Sequence, residues 1–167
     1  NTGRISLAGA GTQTAALAFG GNIPPNTGAT ESYNGSTWTE VNDLNTARQK
    51  MGSAGTNTAA LAFGGAPSNT FTETWNGSNW TEVNNLNTGR DALAGAGTNT
   101  AALAFGGEPP NFLNETETWN GSNWTEVNNL NTARSNLAGV GATNTAALAL
   151  GGEATPGNTA ATELWNG

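Results

Sequence analysis

The sequence predicts an all-β protein, a β-propeller built of four repeats that each fold as a four-stranded antiparallel blade. Three observations carry this reading. The segment TETWNGSNWTEVNNLNT stands at 72–88 and returns unchanged at 116–132. Gly-Gly pairs recur at Gly20 and Gly21, Gly64 and Gly65, Gly106 and Gly107, and Gly151 and Gly152, at spacings of 44, 42 and 45. Each unit also holds four short strand-like runs, and four strands per unit of about 40–50 residues is the blade of a propeller. The repeats are cut at 1–44, 45–86, 87–130 and 131–167, within a single domain spanning 1–167.

The strands, a to d, follow in order. Strand a comes after an Arg preceded by Asn-Thr-Gly or Asn-Thr-Ala, at Arg4, Arg48, Arg90 and Arg134, as in RDALAGAGT. Strand b is TAALAFGG, where Ala101, Leu103 and Phe105 alternate with Ala102 and Ala104, a period of two. Strand c carries a Glu two residues before an aromatic, at Glu31, Glu73, Glu117 and Glu163. Strand d begins at Trp38, Trp80 and Trp124. Between c and d, Asn-Gly signals a tight hairpin, because Gly takes positive φ without steric cost. That turn is expected to set Trp75 opposite Trp80 as a cross-strand pair. A helix over TAALALGG is a poor alternative, since the run is short, ends in Gly-Gly and has no cap pattern. Small residues in a and b, with Trp confined to c and d, suit a wedge that is narrow at the axis.

Composition narrows the function. Apolar residues make up 35% and charged residues 10%, and there are six Trp, which separates the chain from disordered sequences. A net charge of −7 repels phosphate backbones, so no nucleic-acid partner is expected. No apolar run approaches the length of a membrane span. The chain opens on Asn1 and shows no signal-peptide pattern. With no Cys and no His, thiolate catalysis, Ser-His-Asp triads and imidazole metal sites are excluded. The remaining Glu set repeats at equivalent positions, whereas an acid/base pair needs two different environments. No enzymatic activity, no cofactor and no metal are therefore expected. The sequons NGS, NWT and NET coincide with the repeat's own hairpin and strands, no Asp-x-Asp spacing favours calcium, and the Gly-rich segments lack the strand-to-helix context of a phosphate loop. Four of the five basic residues are the motif Arg, so an Arg–Glu clasp at one end of each blade is expected, with an anion- or sugar-binding ring at the axis mouth as the alternative.

The copies disagree in two places. After Gly-Gly they read NIPPNTGAT, APSNTFT, EPPNFLNET and EATPGNTAAT, and after the Arg they read IS, QK, DA and SN. In a propeller the b–c loop and the d–a connection share a face, so variation is expected on one face, with the other nearly identical in every blade. Loops on a rigid scaffold are where binding concentrates. The candidate ligand-binding residues are therefore Asn22, Ile23 and Pro24 in the first repeat and Asn69 and Phe71 in the second. Asn111, Phe112 and Leu113 are the third repeat's, and Thr155 and Asn158 the fourth's. The invariant face is the candidate assembly surface.

A strand after an Arg, an apolar strand ending in Gly-Gly, Glu-x-aromatic and then Trp together resemble the kelch repeat, over essentially the whole chain. Two departures stand out. The gap from Tyr33 to Trp38, Trp75 to Trp80 and Trp119 to Trp124 is shorter than is usual in kelch repeats. Kelch propellers also commonly close with six or seven blades. The near-verbatim copies, rich in Asn, Thr, Gly and Ala, further resemble kelch-like segments of marine bacteriophage virion and fibre proteins. That resemblance implies an extracellular or virion-associated module that adheres to a cell-surface glycan or protein. A purely structural virion or fibre component, and a designed consensus propeller without ligand, are the other readings.

The fourth repeat stops at ELWNG, so the strands number four a, four b, four c and three d. Only Asn-Thr-Gly precedes Arg4, so no N-terminal strand is expected to complete the last blade. An unpaired edge is a template for another chain. Three arrangements follow: a four-bladed ring with one three-stranded blade, a C-terminal tail beyond the written residues, or a partner chain completing a larger ring.

Overall fold

The computed structural model describes residues 2–67 and 69–167, and among them there is no helix. Four antiparallel sheets fan around one axis. Blade one runs β1 (Ala8–Thr12), β2 (Ala15–Phe19), β3 (Thr30–Tyr33) and β4 (Trp38–Val41). Blade two runs β5 (Gly52–Gly55), β6 (Ala60–Phe63), β7 (Thr72–Trp75) and β8 (Trp80–Val83), and blade three β9 (Ala94–Gly97), β10 (Ala102–Phe105), β11 (Thr116–Trp119) and β12 (Trp124–Val127). In blade four, β13 (Ala138–Thr143) and β14 (Ala146–Leu150) are followed by a small ribbon, β15 (Glu153–Ala154) with β16 (Gly157–Asn158), and then by β17 (Thr162–Trp165). Blade four is thus three-stranded, in the order β13-β14-β17. The ribbon falls where the sequence suggested only a loop.

Each strand has a local cause. The Asn-Gly hairpin sets Trp75 opposite Trp80, with ring centroids 5.4 Å apart. Asn76 Oδ1 accepts from the backbone N–H of Ser78 and Asn79, both at 2.9 Å, which closes that turn. In the two central blades strand b alternates in sequence yet is buried on both faces, because each of these sheets is covered by a neighbour on either side. The inner strands β1, β5, β9 and β13 line the axis with Gly, Ala, Ser and Val140, leaving a cavity of about 230 Å³. Small side chains are needed there: a Cβ added at Gly95 would lie 2.4 Å from the Ser53 carbonyl oxygen of the adjacent blade.

The first Gly of the first three Gly-Gly pairs is a joint between blades. Gly64 sits at φ 65°, and a Cβ there would meet the Arg90 carbonyl oxygen at 2.6 Å. Next to it, Gly65 N donates to that same carbonyl at 3.0 Å, as Gly21 N does to Arg48 O and Gly107 N to Arg134 O, both at 2.9 Å. These bonds join blades one to two, two to three and three to four. Among the described residues no such bond joins blade four to blade one. Leu7 and Trp38 are exposed on the outer flank of blade one, whereas Met51, Leu93, Trp80 and Trp124 at the equivalent positions are buried.

Candidate functional site

The Arg–Glu sets form a clasp within each blade. Arg4–Glu31 and Arg48–Glu73 approach to 3.1 Å, and Arg90–Glu117 and Arg134–Glu163 to 2.9 Å. In blades two and three both partners are fully buried. Arg48 Nη1 also donates to the carbonyls of Phe71 (2.6 Å) and Gly64 (3.2 Å), binding strands b and c together. Glu73 Oε2 accepts from the Asn45 backbone N–H at 2.8 Å and from its side-chain Nδ2 at 2.9 Å, which fixes the d–a connection. Burial lowers the pKa of Arg48 and Arg90, and the facing Glu73 and Glu117 carboxylates oppose that shift. Guanidinium groups spent this way are closed to an external anion, so the alternative of a ligand-binding Arg ring does not hold in these blades.

The variable segments do share one face. The residue after each Arg forms a bridge with the residue after the Gly-Gly of its own blade: Ile5 with Asn22, Gln49 with Ala66, Asp91 with Glu108 and Ser135 with Glu153. The opposite end carries the a–b turns and the Asn-Gly hairpins, where Gly77 lies near the Thr58 backbone and Gly121 near Thr100. On the variable face, between blades three and four, lies a cavity of about 670 Å³. Asn111 and Phe112 enter it from one b–c loop, Thr155 from the next, and Thr132 from the d–a connection. Its size falls in the range of small-molecule clefts.

The other candidate residues divide. Ile23 and Pro24 on their loop and Asn158 on β16 are exposed and do not line that cavity. Asn22 Nδ2 donates to Asn26 Oδ1 at 2.6 Å and serves its own loop. The Asn69 and Leu113 carbonyls accept from Arg90 N and Arg134 N at 2.9 and 3.0 Å. Phe71, through its carbonyl, belongs to the Arg48 clasp. These three are half-buried, and their carbonyls tie the b–c loops to the Arg of their own or the next blade.

At the axis mouth on the same face stand residues that the sequence reading did not single out. Ser6, Lys50, Ala92 and Asn136 take positive φ of 51–55°, the left-handed region that non-glycine residues seldom occupy. They bond in series around the axis: Lys50 N to Ser6 O and Ala92 N to Lys50 O at 2.9 Å, and Asn136 N to Ala92 O at 2.8 Å. The Lys50 ammonium lies 3.8 Å from both the Asp91 and Glu108 carboxylates. Burial raises the Asp91 pKa; Lys50 opposes the rise and Glu108 adds to it. The available signal was the variable dipeptide after each Arg, whose second letter is the left-handed residue. A scan against protein-family models finds no match, and none of the curated proteins matches the chain.

Proposed function

We propose that this chain is a non-enzymatic binding or adhesion module, a kelch-like propeller that presents its b–c loops to a cell-surface glycan or protein, in the setting of a virion or fibre. The cleft between blades three and four carries the reading. Its Phe112 offers an aromatic face to the apolar side of a sugar ring, while Asn111, Thr132 and Thr155 offer amide and hydroxyl groups to its hydroxyls. Loops that vary over a scaffold that hardly varies are what a family of binding specificities requires. The absence of His and Cys from the sequence favours recognition over catalysis.

The test is a glycan-array screen of the wild-type chain beside Phe112→Ala and a variant whose four b–c loops all read APSNTFT. Specific signal lost in both variants, with the thermal melt unchanged, supports the reading. Silence from the wild type removes the glycan ligand. A structural assembly role is the second reading, favoured by the exposed apolar groups Leu7 and Trp38 on blade one and Val140 and Leu164 on blade four. Loop variants would then leave assembly intact, whereas Trp38→Ser would reduce it.

A further inference from the structure

One carboxylate stands in the cleft between blades three and four. Glu108 opens the third b–c loop, at the position that Asn22, Ala66 and Glu153 hold in the other repeats. Its backbone is fixed by two bonds with Asp91, from Asp91 N to Glu108 O at 2.7 Å and from Glu108 N to Asp91 O at 2.9 Å. The side chain lines the cleft together with Asn111, Phe112, Thr132 and Thr155. Among the described residues that line it, Glu108 alone is charged.

The partners of this carboxylate leave it room for another. Oε1 lies 3.8 Å from the Lys50 ammonium of blade two, and Oε2 accepts from Ser135 Oγ of blade four at 3.4 Å. Asn136 Nδ2 donates to Ser135 Oγ at 3.3 Å, which leaves the hydroxyl proton for Glu108. Both contacts are long beside charge-assisted bonds, which run at about 2.7–2.9 Å. A carboxylate has about four acceptor sites, and 30% of this side chain is exposed. Lys50 is shared with Asp91, also at 3.8 Å, so two carboxylates face one ammonium. The charge left over is negative, in a chain whose net charge is −7.

We propose that the cleft selects its sugar by charge, binding a glycan with a free amino group through Glu108 and turning away acidic sugars. The inference rests on the loop-binding reading above and names the class of sugar that this site takes. The sugar's ammonium donates to Glu108 while Phe112 covers the apolar side of a ring. A carboxylate or sulfate in the same place would meet Glu108 and Asp91 with only Lys50 to offset them. A partly enclosed cleft has a lower effective dielectric than bulk water, which strengthens both the attraction and the repulsion. The deciding charge stands at the first position after Gly-Gly, where the copies differ. The same scaffold with Asn or Ala there, as in the first two repeats, has no such preference.

The probes are two β-1,4-linked tetrasaccharides with one backbone, tetraglucosamine and its fully N-acetylated form, titrated into the full chain by calorimetry at mildly acidic pH, where the amine is protonated. The wild type is expected to bind the amine form about tenfold more tightly, the worth of one charge-assisted hydrogen bond. That margin should shrink as salt is added. Glu108→Gln keeps the shape of the side chain and should cut the margin to about twofold or less, whereas Phe112→Ala weakens both sugars alike. Glu108→Asn, which places the first repeat's residue there, is a second variant with the same expected result, and thermal melts show that both fold. Three results would overturn the proposal: equal affinity for the two sugars, a preference that survives in both Glu108 variants, or no binding of either sugar. Equal affinity that Phe112→Ala still weakens leaves the loop-binding reading standing. Silence from both sugars ends that reading too only if the glycan array is silent as well.

Discussion

The indole Nε1 of Trp124 donates to Thr72 Oγ1 at 3.1 Å, across 52 residues of sequence and from one blade to the next. Both groups are buried, so the bond cannot be exchanged for one to water. Thr72→Val would leave the indole N–H unpaired in the interior at a cost of about 1–3 kcal/mol. Thr116→Val removes a hydroxyl that already lacks a partner and should leave the isolated chain as stable or more so. Urea unfolding of the two variants side by side checks this, and equal losses would contradict it.

The three strand-d tryptophans should differ in cost. Trp124 is 5% exposed against Phe63, whereas Trp38 is 38% exposed and contacts Tyr33 of its own hairpin. Trp124→Ala is expected to cost about 3–5 kcal/mol, in the range for large aromatic truncations. Trp38→Ala should cost less than half of that. Similar losses in thermal or denaturant melts would show that the flank of blade one is covered in solution.

The Arg90–Glu117 clasp predicts a steeper loss. Glu117→Gln keeps the shape of the side chain but leaves a buried guanidinium without its counter-charge, a change costing about 3–5 kcal/mol. Because the pair is buried, the loss should change little between low and high salt. The Lys50–Asp91 contact, whose ammonium is exposed although its carboxylate is largely buried, should be more sensitive to added salt. Denaturant midpoints at two ionic strengths decide the point.

Asp91 gives the pH dependence. Its pKa is raised in the folded protein, first by burial, with Lys50 opposing and Glu108 adding. Between the ordinary Asp value and the raised folded one, the native state binds more protons at this group than the unfolded chain does. Stability contributed by this group is present below the ordinary Asp range, near 3.9, and is lost as pH rises through the raised folded value. Asp91→Asn should flatten that decline and make the protein more stable at neutral pH than the parent. A variant less stable at neutral pH would show that the Lys50 contact outweighs the cost of burying the charge.

Much of the architecture was legible in residues close together along the chain. The Asn-Gly turns set the Trp75–Trp80 register, period-two runs marked strand b, and the repeated Arg and Glu predicted a clasp that the structure places within each blade. These features depend on turns and strands whose partners are near in sequence, so their patterns are local. Where the candidate ligand residues come together was not legible: Asn111, Phe112 and Thr155 line one cleft, while the carbonyls of Asn69, Phe71 and Leu113 accept hydrogen bonds from Arg90, Arg48 and Arg134, because loop paths depend on the neighbouring blade.

The sequence by itself determined the repeats, the strand order and the hairpins. The tertiary structure alone decided what each copy does. Trp38 and Trp80 open the same four-letter strand, WTEV, yet one is exposed and the other sealed. Thr72 and Thr116 begin identical segments, yet one hydroxyl is bonded and the other is not. Identical residues diverge because burial and hydrogen bonding at a blade's flank are properties of the neighbouring blade, and that neighbour comes from a different stretch of chain.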